Sequence, residues 1–181
     1  MRIIAGEWRG RKLAVPKGDV TRPTGDRTRE TLFSMLLSRL GTFEGLKVAD
    51  LFAGSGALGL EVLSRGAAQC LFVDQDKQAI DAIRANIATL GARDCSTVQH
   101  GSVLSLGPAK DPFDLLLLDP PYATGAAAVV LDRLLRLGWI GPGSWIAVET
   151  GADEQVAVKG LAIEAERKVG KAKLTLLTRA D

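Results

Sequence analysis

The tetrapeptide Asp119-Pro120-Pro121-Tyr122 closes the apolar run from Phe113 to Leu118 and joins a carboxylate, a stiffened carbonyl and an aromatic ring at one strand end. That combination suits alkylation of a planar nitrogen. An exocyclic amine conjugated to a base ring is a poor nucleophile, because its lone pair is delocalised into the ring. Two acceptors aimed at its N–H bonds draw that pair out. The Asp119 carboxylate and the Pro120 carbonyl can supply them, and Pro120 and Pro121 fix φ so that the acceptors are preorganised. Tyr122 is placed to stack on the base. A Pro-Pro pair also simply stops strands, so the tetrapeptide alone leaves a plain turn open.

Upstream, residues 46–61 read as a buried strand, a glycine-rich turn and the start of a helix. Gly54, Gly56 and Gly59 have the G-x-G-x-x-G spacing, which by itself fits a dinucleotide equally well. Asp50, four residues before the first glycine, separates the readings. At the ligand site, where it is expected, it repels a pyrophosphate and attracts a cation. S-adenosylmethionine carries a sulfonium and an ammonium and no phosphate, so Asp50 with close backbone approach at Gly54 and Gly56 fits it better. Phe52 and Ser55, in the same turn, join the predicted cofactor contacts. Asp74 ends the next strand fifteen residues after Gly59 and is the predicted partner of ribose hydroxyls. Asp76 reads as the cap of the following helix. Ser102, after a third strand, is open between meeting an adenine amino group and serving as a loop or cap residue.

Together these residues resemble a known family. Asp50-Leu-Phe-Ala-Gly-Ser-Gly-Ala-Leu-Gly-Leu-Glu61, then Val73-Asp74, then Asp119-Pro-Pro-Tyr122 is similar to the bacterial 16S ribosomal RNA guanine-N2 methyltransferases of the RsmD type. The opening Met1-Arg-Ile-Ile-Ala-Gly-Glu-Trp-Arg-Gly-Arg-Lys-Leu13 and the block from Arg22 to Phe33 extend the match over nearly the whole chain. The glycine turn is shared by many methyltransferases and the DPPY by many amino-group methyltransferases, so the amino-terminal block narrows the choice. The chain departs from the pattern at Ser102, where the family often has an acid or amide, and at Asp74, where it commonly has glutamate. The resemblance implies a Rossmann-like class I methyltransferase, a mostly parallel seven-stranded α/β sheet whose final strand runs antiparallel. It also implies guanine N2 of 16S ribosomal RNA, free or in an assembling small subunit, as the acceptor.

The elements that must position these groups follow from periodicity. Leu32, Leu36 and Leu40, widened by Phe33 and Leu37, predict an amphipathic helix from about Asp26 to Leu40. Strands and helices then alternate. Further helices are expected near residues 57–65, 77–90 and 125–137, and strands at 70–74, 96–100, 113–119 and 144–149. Segments 162–169 and 173–178, joined by Gly170, read as a hairpin. Continuous apolar strands with intervening helices imply a parallel sheet covered on both faces. In such sheets ligands bind beyond the carboxyl ends of the strands, which brings Asp50 to Gly56, Asp74, Ser102 and Asp119 to one cleft. Glu149, ending the fifth strand, either lines that cleft or is a solvated loop acid.

At 181 residues and 46% hydrophobic the chain can bury a full core, read as a basic arm and helix over 1–45 and a catalytic domain over 46–181. No stretch approaches the roughly 20 apolar residues that span a bilayer, and no signal-peptide core opens the chain, so a cytoplasmic, membrane-free protein is expected. Cys70 and Cys95 make no metal pattern and no disulfide framework, and both read as reduced thiols. His100, the single histidine, reads as structural. Net charge is only +2, but residues 1–29 hold eight cations against three acids, leaving the remainder at −3. A basic arm on an acidic body suits a phosphate backbone, with Arg9, Arg11, Lys12, Arg22, Arg27 and Arg29 as the predicted RNA contacts. Trp8, among them, either stacks on an unpaired base or packs on the body.

The expected reaction is direct in-line methyl transfer by a monomer, with no metal and no covalent nucleophile. A DNA adenine-N6 methyltransferase would use the same chemistry but normally needs more chain for sequence readout. A non-catalytic RNA-binding protein would not need Asp119, and Asp50 counts against a nicotinamide oxidoreductase.

Overall fold

A computed structural model describes residues 1–17, 23–121 and 125–180. The described elements are α1 (Pro23–Leu40), β1 (Lys47–Leu51), α2 (Ala57–Ser64), β2 (Gln69–Asp74), α3 (Lys77–Leu90), β3 (Ser96–His100), β4 (Phe113–Leu118), α4 (Ala126–Arg136), β5 (Ile140–Gly151), β6 (Leu161–Val169) and β7 (Ala172–Arg179), with short 3-10 turns at Arg93–Cys95 and Val103–Ser105. Seven strands form one sheet in the order β3-β2-β1-β4-β5-β7-β6. Strand β7 runs opposite to the other six strands, pairing antiparallel with both β5 and β6. This is the Rossmann-like methyltransferase sheet expected from the resemblance.

Alternation along the strands explains why both faces are covered. On β4, Leu115 and Leu117 enter one core with Phe33 and Leu36 of α1, Leu60 of α2 and Ile80 and Ile83 of α3. Leu116 and Leu118 enter the other core with Val130, Leu131 and Leu134 of α4. A strand buried on both faces has no polar side to spare, hence the unbroken Leu115-Leu116-Leu117-Leu118.

Three expectations change. Helix α1 begins at Pro23 rather than near Asp26, in keeping with the tolerance of a first helical turn for proline. Strand β5 begins at Ile140 rather than Ser144, across a register shift opposite Phe113 and Leu115. The Ser144 hydroxyl accepts from the Gly141 N–H and donates to the Phe113 carbonyl, so the glycine-proline-glycine stretch is held in the sheet. The boundary at residue 45 does not divide the core: Ile3 and Leu13 are buried in the same cluster as Phe33 and Leu60.

Residues 1–14 are instead fastened to the body through α2 and α3. The buried Glu61 carboxylate accepts from the Ile4 and Ala5 N–H groups at 2.8 and 3.0 Å, and pairs with Arg65 at 2.9 Å. Ser64 Oγ donates to the Ala5 carbonyl and accepts from the Trp8 N–H. Gly6, at φ 89°, lies so near Ser64 that a Cβ would meet its carbonyl oxygen at 2.0 Å. Asn86 on α3 donates to the Ala14 and Ser55 carbonyls and accepts from the Ala14 N–H.

Candidate active site

The turn after β1 is set by backbone geometry. Phe52 has φ 61°, a left-handed value that is costly for a bulky residue and recurs at functional sites. Gly54 and Gly56 follow at φ 59° and 82°. A Cβ at Gly54 would meet nothing within 4 Å, so the backbone there is open to an approaching ligand. Gly59 does a different job: a Cβ would stand 2.5 Å from Phe72 Cε1 and 2.7 Å from Cys70 Sγ, so its bare face lets α2 lie on β2.

Asp50 corrects the sequence reading. It was expected at the ligand; its carboxylate is instead 1% exposed and accepts the Gly59 N–H at 2.9 Å beneath the first turn of α2. Val48, two residues earlier, packs in the core that α2 covers, so alternation turns Asp50 toward that helix and its free N–H groups. Burial pushes the Asp50 pKa well above its ordinary value; the Gly59 bond opposes this, while the charges of Asp119 and Asp74 add to it. Ser55 is likewise buried, with its hydroxyl on the Met1 sulfur and its carbonyl on Asn86.

Phe52, Asp74, Ser102, Asp119, Pro120 and Pro121 do converge, on a cleft of about 760 Å³. Asp74 Oδ2 accepts from the Gly54 N–H and Oδ1 from the Asp76 N–H, both at 2.9 Å, so the acid ties the glycine turn to the end of β2. Asp76 caps α3 as expected, accepting from the Gln78 N–H. Ser102 both lines the cleft and caps the turn after β3, accepting from the Leu104 N–H at 3.2 Å. His100 lies 3.0 Å from the Gln75 carbonyl, a structural contact. Among the described lining residues there are three carboxylates, Asp74, Asp76 and Asp119, and no cation. The apolar wall of Val103, Leu104, Val129 and Val130 carried no distinct sequence signal.

Asp119 is exposed toward the cleft as a residue, yet protein crowds its carboxyl from behind. That desolvation, then the negative charge of Glu149 and a hydrogen bond with its side chain, raises the Asp119 pKa to about 7. Glu149 is half-buried on β5. Tyr122 and Arg22 lie outside the described residues.

The predicted RNA contacts divide. Arg9, Arg11, Lys12 and Arg27 are exposed, with Arg11 also donating to the Thr89 carbonyl at 2.9 Å. Arg29 is a correction. It is 7% exposed and its guanidinium donates to Asp26 at 2.7 Å and to the Arg2 carbonyl at 3.1 Å. Positions 29, 32, 33 and 36 share the inward stripe of α1, a periodicity that could have identified it. Trp8 is half-buried against the core, the packing alternative. Glu61 and Asn86 escaped notice although each interrupts an apolar helix face, the mark of a buried polar group with partners.

Similarity to known proteins agrees with this architecture. A family model described as Conserved hypothetical protein 95 matches residues 1–178. The ribosomal RNA small subunit methyltransferase D of Haemophilus influenzae is 41% identical over 161 residues, spanning 85% of this chain and 80% of that protein. This chain belongs to the ribosomal RNA small subunit methyltransferase D family. Its Escherichia coli K12 member is 39% identical over 150 residues, 83% of this chain and 74% of the relative. Among solved structures similar to this methyltransferase D family member, the putative methyltransferase yhhF of Escherichia coli superposes with a TM-score of 0.87. It is 35% identical and covers 99% of this chain and 97% of its own.

Proposed function

We propose that the protein transfers a methyl group from S-adenosylmethionine to the exocyclic N2 of a guanine in small-subunit ribosomal RNA. The observation that carries this reading is the cleft between the open glycine turn and Asp119-Pro120-Pro121, whose described lining residues include three carboxylates and no cation. Such a lining disfavours phosphate and favours a ligand bearing a sulfonium and an ammonium. Gly54 offers bare backbone, Phe52 an apolar face, and the Asp74 oxygens, each already accepting one N–H, retain lone pairs for hydroxyls. Asp50 acts at one remove, by fixing the turn.

When bound, S-adenosylmethionine supplies an electrophilic methyl carbon. The Asp119 carboxylate and the Pro120 carbonyl accept the two amine N–H bonds, raising electron density on N2 as its lone pair forms the N–C bond and the C–S pair returns to sulfur. Asp119 then accepts the proton that N2 releases, a role suited to its pKa of about 7. Much of the acceleration comes from holding two reactants in line. The nucleotide must leave its stack to reach the cleft, and the exposed Arg9, Arg11, Lys12 and Arg27 supply phosphate contacts. The relatives' names support ribosomal RNA as the acceptor.

The test is transfer of labelled methyl to small-subunit particles, free ribosomal RNA and duplex DNA, followed by nucleoside analysis. N2-methylguanosine from a ribosomal substrate is expected; N6-methyladenine in DNA, or cofactor binding without transfer to any of the three, overturns the reading.

A further inference from the structure

The geometry points to Glu149 as the specificity residue of this site: it accepts the N1–H of the target guanine beside the N2–H bond held by Asp119, and so rejects bases whose N1 lacks a proton. This inference rests on the guanine-N2 reading above and adds to it the group that selects the base.

Sheet order supplies the first argument. The cofactor side of the cleft is built at the ends of β1, β2 and β3, by Phe52, Asp74 and Ser102. Strand β5 lies on the far side of β4 from all three. A methyl acceptor brought to Asp119 from outside that cleft therefore meets the end of β5 next. Register supplies the second. Leu118 pairs with Val148, so Asp119 and Glu149 are the next positions along adjacent parallel strands, roughly 4.8 Å apart. Leu117 and Ala147 enter the same core, so the two acids rise on one face. Their side chains stand within hydrogen-bonding reach of each other, two acids that repel when both are charged.

Guanine matches this pair. Its Watson–Crick edge presents N1–H and the N2 amine as adjacent donors, whereas adenine sets a bare N1 beside its N6 amine. Two neighbouring carboxylates accept both guanine donors, while a bare N1 would face the Glu149 oxygen lone pair to lone pair. Discrimination then comes from a repulsive contact as well as an attractive one. The rival account gives Glu149 no contact with the base and only a supporting role beneath Asp119.

An RNA carrying 2-aminopurine at the methylated position separates the two, because that base keeps the 2-amino group and has a bare N1. The wild-type protein is expected to methylate the guanine RNA with at least about 100-fold higher kcat/KM, as sites built around a substrate donor reject analogues that lack it. Glu149→Gln, whose amide can donate to a bare N1, is expected to lose at least about tenfold on guanine while the ratio falls toward one. S-adenosylmethionine titration checks that the variant is folded; if it is not, Glu149→Ala is read the same way, since removing the acceptor also narrows the ratio. An unchanged ratio overturns the assignment and leaves Glu149 the supporting role. Absence of N2-methylguanosine from wild-type protein overturns the guanine reading itself, a distinguishable failure.

Discussion

The acids at the ends of β1 and β2 and those at the ends of β4 and β5 stand on one edge of one sheet, yet they are used in opposite ways. Asp50 and Asp74 are satisfied by backbone: Gly59 donates to one, Gly54 and Asp76 to the other. Asp119 is desolvated by the protein behind it and has an acid for its neighbour, and its pKa rises to about 7. Burial pushes up both Asp50 and Asp119, but a fixed N–H opposes the rise at Asp50 and holds that carboxyl in place, whereas at Asp119 a neighbouring side chain adds to the rise and the carboxyl faces the cleft, where it can exchange a proton. The difference lies in what each strand end faces, a helix N-terminus or the glycine turn in one case and a neighbouring strand in the other.

Mutations should separate the two ends cleanly. Asp119→Ala is expected to lower kcat by about 10³-fold while S-adenosylmethionine affinity stays within a few-fold and thermal stability is unchanged. A matching collapse of cofactor binding would show that the chemical end also holds the cofactor. Gly59→Ala should do the reverse: the added methyl drives into Phe72 and Cys70 and should cost about 2 kcal/mol, seen as a lowered denaturation midpoint with residual kcat retained in folded protein. A subtler probe is pH. Below about 7 Asp119 holds its proton and cannot accept from the amine, so kcat/KM should rise as pH passes through 7. In Glu149→Gln the negative neighbour is gone, and the midpoint should move to lower pH; a midpoint that stays put would assign it to another group. Smallest are the arm substitutions. Arg9→Ala, Arg11→Ala and Lys12→Ala should each reduce the salt dependence of RNA binding by a slope of about 1. Arg29→Ala should leave that slope alone and lower stability by about 2 kcal/mol instead, because its buried guanidinium bonds Asp26 and the Arg2 carbonyl through Nη2 and does not face solvent.

Much of this was legible in sequence because it is periodic or local. Strand β3 and helix α3 match their predicted ranges, since alternation, the Asp76 cap and Gly91 mark their ends within a few residues. The glycine turn and DPPY mark a cleft because their residue types are restricted by backbone geometry. Spacing does not say which way a strand residue points, and Asp50 was misplaced for that reason. Nor does local pattern state strand order. Glu149 gained its meaning only when β5 came to lie beside β4, a neighbour relation between segments some thirty residues apart. Arg29 and Asn86 are the converse case, polar residues on apolar stripes with partners far along the chain, Arg2 for one and Ala14 and Ser55 for the other, although Arg29 also pairs with nearby Asp26. The start of β5 was missed because Gly141-Pro142-Gly143 has the composition of a turn, and Ser144 overrides that locally.

Asn86 has a consequence for anyone seeking a smaller catalyst. One amide holds both the Ala14 backbone and the Ser55 carbonyl inside the glycine turn. Trimming the chain to begin after Ala14 would free half of that clamp and uncover the hydrophobic seats of Ile3 and Leu13. The first fourteen residues are therefore not a detachable handle, and a minimal version of this protein has to keep them or redesign the surface they cover.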